Sequence, residues 1–312
     1  MTAAPPARFE RAALAMLAAW MGERYFRTFH QLDDGPAPFD AVLAQRERRA
    51  GVTVGALWEQ PAPGAEQFER LIGDDVDEGA YALWVPPGGS LPPGEPERSA
   101  FRVRIASGMK GLEPNERREV RLPAKLFLAK TDVEGQYVSV TGGLSSHWTR
   151  ISERVDGAFH LDSRALHRLP DEEAELELLL SRVHDRAALL NVEETTEIDV
   201  HDYWLVSRLP PEGPPGVTVA GSSPDFDSSD GAAVRRLLRR HIRRAVEQGE
   251  AGQCDFSVLL LVASLAHMED EMATTAVRGM SPAAYGALDL IVLVADGRVR
   301  QVLQPRSLPW GS

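Results

Sequence analysis

Residues 231–249 read GAAVRRLLRRHIRRAVEQG and place Arg235, Arg236, Arg239, Arg240, Arg243 and Arg244 within ten positions. A guanidinium is a planar fork of N–H donors that stays charged at physiological pH and grips phosphate oxygens two at a time. Six of them on one short segment have the chemistry of an anion site, with a nucleic acid or a phosphate-bearing ligand as its partner. At about 100° per residue the segment reads as a helix: Val234, Leu237, Leu238, His241, Ile242 and Ala245 share one half, and the six arginines fill the other. Four like-charged pairs at i, i+4 (235/239, 236/240, 239/243, 240/244) cost such a helix about 1–2 kcal/mol in total, at roughly 0.2–0.5 each. An opposite charge must offset this. Either the protein's own carboxylates supply it and the row is a solvated face, or an external anion does. His241, in the middle of the apolar half, reads as a hydrogen-bonded core histidine. Docking on a membrane would need the apolar stripe free, and here the core claims it.

Other groupings have chemistry-bearing residues without a full motif. VTGGLSSHWTRI gathers Gly142, Gly143, Ser145, Ser146 and His147, but His147 stands where a G-x-S-x-G elbow needs glycine, and no G-K-[ST] follows. A strand-to-turn reading fits it better. SGMK at 107–110 has the letters S-x-x-K, yet Gly108 and Gly111 bracket a turn rather than open a helix. The pairs His184/Asp185 and His201/Asp202 lack the helical array that an HD-type phosphohydrolase would need. His267 and Glu271 are one helical turn apart without the rest of HExxH. DDVDEG and DFDSSDG lack the glycine and glutamate positions of a calcium loop, and the second is expected to cap the arginine helix through Ser228, Ser229 or Asp230. These readings leave no metal ligand set and no cofactor. Cys254 reads as an inert buried thiol with no basic neighbour to lower its pKa.

The elements that must position these groups come from a chain of 312 residues, 43% hydrophobic, with 46 acidic against 34 basic residues and a net charge of −12. That balance excludes a whole-surface nucleic-acid binder and leaves room only for a local basic patch. Only three of the basic residues are lysines, a bias that a GC-rich genome also produces. One cysteine excludes an internal disulfide, and the longest apolar run, FSVLLLVASLAHM, is far short of the ~20 residues that span a bilayer. A soluble, cytoplasmic protein is expected. Residues 7–32 carry Phe9, Ala13, Leu17, Trp20, Tyr25 and Phe29 at helical spacing, so the start reads as an amphipathic helix rather than a signal peptide.

FDAVLA and GVTVGALW read as buried strands about a charged turn. The Pro/Gly-rich stretches at 85–99 and 209–231 read as loops. FRVRI alternates and predicts a half-buried strand, as do REVRLP, KLFLAK, QYVSVTGG, HWTRISERV and GAFHLD, with DVEGQ and VDGA as hairpin-type turns. A helix over 171–190, a strand at DYWLVSRL, the buried run after Cys254, a helix opened by Ser281 and Pro282, and two strands about a DG turn complete the reading. The fold class is α+β or mixed α/β: a strand core from the N- and C-terminal portions with helices, plus an antiparallel β-rich middle section. The divisions are 1–99, 100–208 and 209–312, the last packing back on the first, or one continuous domain.

A helix, then PFDAVLA, a charged turn and GVTVGALWE, and later YWLVSRL, a basic helix and more buried strands resembles the core order of restriction-endonuclease-like nucleases. In that family an aspartate near the end of one strand and a Glu-x-Lys on the next hold a magnesium ion. The resemblance implies Asp40 in the first role. Thr53, Val54 and Gly55 stand where the second motif would be, and no lysine follows Glu59. The sequence thus supports a non-enzymatic accessory protein of a larger assembly that meets an anionic partner through the arginine helix. A divergent, degenerate metal-dependent phosphodiesterase is the alternative, and a scaffold that contacts only protein is the third reading.

Overall fold

The computed structural model describes residues 7–32, 38–226, 231–264, 277, 279–308 and 310. The chain adopts a mixed α/β fold with two six-stranded mixed sheets and divides into two compact units, residues 1–118 with 205–312 and residues 119–204. None of the described helices is long and apolar enough to cross a membrane.

The larger unit is built on a sheet of β1 (His30–Leu32), β2 (Ala41–Gln45), β3 (Arg48–Ala56), β10 (Phe256–Ala263), β11 (Leu290–Ala295) and β12 (Arg298–Leu303), in that spatial order. The first three form an antiparallel meander, β3, β10 and β11 run parallel, and β12 returns antiparallel. Every residue of β10 and β11 is buried, because a parallel strand is covered on both faces. One face, with Val52, Val54, Val258, Leu260 and Val292, shares a core with Leu14, Leu17 and Met21 of α1 (Arg8–Tyr25). The other, with Leu259, Leu261, Ile291 and Leu293, shares a core with Leu237, Leu238, Ile242 and Ala245 of α6 (Gly231–Ala251). The DG hairpin between β11 and β12 has Asp296 and Gly297 both at positive φ, as a two-residue turn requires.

The same unit also holds α2 (Ala65–Gly73), β4 (Ala80–Trp84), α3 (Glu97–Met109) and β9 (Gly216–Ala220). Three expectations are corrected here. FRVRI lies in α3: Phe101 and Ile105 are one helical turn apart and buried, while Val103 is 59% exposed. Alternation over five residues fits either period, and the Phe101 ring settles it by stacking edge-on against Phe68 of α2. The stretch 209–231 is not all loop, since GVTVA forms β9 parallel to β4. The helix at Ser281 shortens to a 3-10 turn, Pro282–Ala284.

Residues 119–204 supply most of β5 (Arg117–Thr131), then β6 (Tyr137–Gly142), α4 (Trp148–Ser152), β7 (Ala158–Ser163), α5 (Glu173–Leu189) and the start of β8 (Thr195–Arg208). β5 and β7 pair antiparallel, but β6 joins β7 in parallel, so the link between them is a crossover rather than a hairpin. That crossover turns HWTRI into a short helix instead of a strand. Leu126, Leu128, Phe159 and Leu161 bury one sheet face against Leu176, Leu179, Leu180 and Val183 of α5.

Candidate functional site

α6 forms as the periodicity predicts, with Val234, Leu237, Leu238, His241, Ile242 and Ala245 buried. Burying Leu237, Leu238 and Ile242 contributes roughly 1.5–3 kcal/mol each. That outweighs the cost of the like-charged pairs, so packing alone sustains the helix. Arg235, Arg236, Arg239, Arg240 and Arg243 are exposed. Among the described residues none of these five has a carboxylate within ion-pair distance. The expected cap at Ser228, Ser229 or Asp230 lies outside the described residues.

Arg244 differs from the other five. It is half-buried, and its guanidinium bonds the Asp40 carboxylate and donates to the Val54 carbonyl at 3.1 Å. The same Asp40 oxygen, Oδ2, accepts the Val54 N–H at 2.8 Å. One turn further along α6, Gln248 donates to the Pro38 carbonyl at 2.7 Å and accepts from the Thr53 hydroxyl. One turn back, His241 Nε2 donates to the Ala56 carbonyl at 2.9 Å. Its ring lies where a Cβ on Gly55 would be, so glycine is needed for the helix to approach β3. Burial first, then the charges of Arg240 and Arg244, holds His241 below the usual histidine range, against the pull of the Ala56 carbonyl. His241 is therefore a core histidine, as its place in the sequence implied.

The magnesium site implied by the nuclease resemblance does not fit these residues. Asp40 is already bonded to a guanidinium, Thr53 and Gly55 face α6 side chains, and no group of three His, Cys, Asp or Glu able to hold a metal occurs among the described residues. Glu10 of α1 is close enough to feel both charges: burial raises its pKa first, the Ala7 N–H opposes, and Asp40 adds to the rise while Arg244 lowers it.

The remaining sequence candidates have structural work. Gly142, at positive φ, and Gly143 lie against Ser163–Leu166, and Ser163 bonds the Leu144 N–H and the Thr141 carbonyl at 3.0 and 2.6 Å. Ser145 and His147 begin and end a 3-10 turn, and burial followed by the Arg150 charge lowers the His147 pKa. Ser107 and Gly108 are inside α3 rather than in a turn. His184 and Asp185 lie on α5. Asp75 of DDVDEG pairs with Arg102 at 2.8 Å. His267 and Glu271 lie outside the described residues. Cys254 is partly buried, and burial pushes its thiol up; the expectation of no basic neighbour is corrected by Arg49, whose charge opposes that rise without overcoming it.

One centre was not foreseen. Asp202 of β8, 5% exposed, accepts four bonds: the backbone N–H of His167 and of Arg168 at 2.9 Å, His167 Nδ1 at 2.8 Å and Trp204 Nε1 at 2.7 Å. The HD letters mark the aspartate, but its donors come mainly from a loop 34 and 35 residues earlier. Compared with protein-family models, with curated proteins and with solved structures, the chain matches none.

Proposed function

We propose that the chain is a non-enzymatic accessory protein of the cytoplasm that binds nucleic acid through its phosphates, using Arg235, Arg236, Arg239, Arg240 and Arg243. One observation carries this reading: in a chain with 46 acidic residues, five neighbouring guanidinia are exposed with no carboxylate partner among the described residues. From Arg235 to Arg243 the row is about 12 Å long at ~1.5 Å per residue. A lone phosphate is too small to meet it, whereas 12 Å of duplex carries about seven phosphates. The exposed residues of α6 other than the arginines are Ala232, Glu247, Glu250 and Ala251, so it lacks exposed amide side chains of the kind that read base edges. Binding should therefore be insensitive to sequence.

The test is fluorescence anisotropy on duplex DNA and RNA across a salt series. With four phosphates contacted, log Kd against log salt has a slope near 4, and affinity falls ~10²-fold between about 50 and 200 mM salt. Exchanging Arg236, Arg239, Arg240 and Arg243 together for glutamine should cut the slope to about 0.9 at most, the share of Arg235. A wild-type slope of zero, or one the quadruple variant retains, overturns the reading. So does metal-dependent hydrolysis of the nucleic acid that disappears in Asp40→Ala.

A further inference from the structure

We infer that Arg244 is the cation of Asp40, standing where the nuclease resemblance puts a magnesium ion, and that this pair is a lock that fixes the rotation of α6. The argument begins at the edge of β3. β2 pairs with β3 from Gln45 opposite Arg48 to Ala41 opposite Val52, and there it ends. Two residues further on, Val54 points its N–H and C=O toward the side that β2 has vacated. An unpaired peptide group this deep in a sheet is costly. The Asp40 carboxylate takes the N–H and the Arg244 guanidinium takes the C=O, and the two side chains bond each other. The ion pair thus extends the sheet ladder by one residue.

The pair does not act alone. His241, Arg244 and Gln248 are at i, i+3 and i+7, one stripe of α6, and reach Ala56, Val54 with Asp40, and Thr53 with Pro38 in turn. Three polar side chains over two helical turns resist rotation about the helix axis, which apolar packing alone does less well because it is non-directional. Arg244 is at the border of the arginine arc, about 180° from Arg235. It is a positioning residue that keeps the other five outward. Thr53 and Gly55, where the family has Glu-x-Lys, serve the same seam: one by its hydroxyl bond to Gln248, the other by yielding space to an imidazole.

The phosphate-count arm of the test rests on the proposed function; the other arms do not. Magnesium and manganese chloride titrated into the wild-type protein at millimolar concentration should leave Tm unchanged, whereas a saturable rise that Asp40→Asn removes overturns the inference. Asp40→Asn and Arg244→Gln should each lower Tm, with the double variant no lower than the worse single one. Additive losses overturn it. On duplex DNA, Arg244→Gln should weaken binding by loosening the row yet keep the wild-type salt slope, while Arg239→Gln lowers the slope by about 0.9. A loss of about 0.9 in Arg244→Gln makes that residue a phosphate contact and ends its positioning role. If no protein binds DNA, the proposed function fails while the metal and coupling arms still decide the lock, and the metal arm needs no variant to fold.

Discussion

Arginine is used in two ways in this chain. Residues 119–204 carry 17 acidic against nine basic residues. There Arg121 meets Glu175 at 2.8 Å, Arg150 meets Glu173 at 2.7 Å, Arg164 meets Asp162 at 2.5 Å, Lys125 bonds Glu197 and Arg168 bonds Asp171. On the outer face of α6 five arginines stand together, and the first carboxylate on that side at helical spacing is Glu247, four residues after Arg243. Exposed pairs stabilise a fold little, so pairing in 119–204 is not what holds that unit together. Not every arginine there has an acid beside it: Arg154, Arg182 and Arg186 are exposed with no carboxylate partner among the described residues, and Arg182 donates to the Asp199 carbonyl at 3.3 Å. What sets the α6 row apart is clustering: five guanidinia without a carboxylate partner among the described residues lie side by side on one helix face rather than singly.

The contrast can be broken first at Asp202. Asp202→Ala strips four donors of their acceptor in a buried place, and such a loss costs about 3–5 kcal/mol. Urea unfolding should show residues 119–204 losing cooperativity at lower denaturant. The salt slope on duplex DNA should be unchanged. A loss of DNA affinity in this variant would instead make the acidic unit part of the anion site.

A smaller effect is expected where α6 meets β3. Gly55→Ala places a methyl on the His241 ring, and overpacking of this kind costs about 1–3 kcal/mol. Gly94→Ala, with open space around the new methyl, should stay within about 0.5 kcal/mol of wild type. Equal urea midpoints for the two variants would show that α6 does not depend on close approach at Gly55.

How much of this was legible varies with the range of the interaction. FSVLLLVA and LIVLVA read as buried strands because parallel strands are apolar on both faces. The α6 wheel gave both its buried half and five exposed arginines. Its sixth arginine could have been suspected from its border position, but Asp40 is 204 residues away and no local pattern joins them. FRVRI misled because period 2 and period 3.6 share a contact over five residues, and Phe68 decides between them. The Asp202 centre was out of reach for the same reason as the lock: its donors come from a distant loop, and the HD letters alone suggest a metal. Local periodicity fixed the elements, while the polar contacts between them are tertiary.

pH separates the two regions further. His241 has its pKa lowered by burial, so its neutral form contributes stability that is complete above the ordinary value of 6.5 and is lost as pH falls through the lowered one. Scanning Tm from about pH 8 to about pH 5 should show a decline that is shallower in His241→Gln, whose amide can still donate to Ala56. His147 and His184, both also lowered chiefly by burial, keep part of the decline in that variant. An identical decline with and without His241 would remove His241 from the pH response.

The smallest effect belongs to an exposed pair. Bonds from the Arg164 side chain, then from its backbone N–H, lower the Asp162 carboxyl from 3.8 to about 2. A lowered carboxyl adds stability above its ordinary value and loses it as pH falls toward 2, but Arg164 is exposed and solvent screens the pair. Arg164→Ala should therefore move the Asp162 titration, read by carboxyl-carbon NMR, back toward 3.8 and leave Tm at neutral pH unaltered. A clear fall in Tm would mean that exposed pairs do hold residues 119–204 together. The row on α6, unpaired among the described residues, would then forgo stability as well as serve the proposed phosphate contact, because a carboxylate placed beside it would have strengthened the fold.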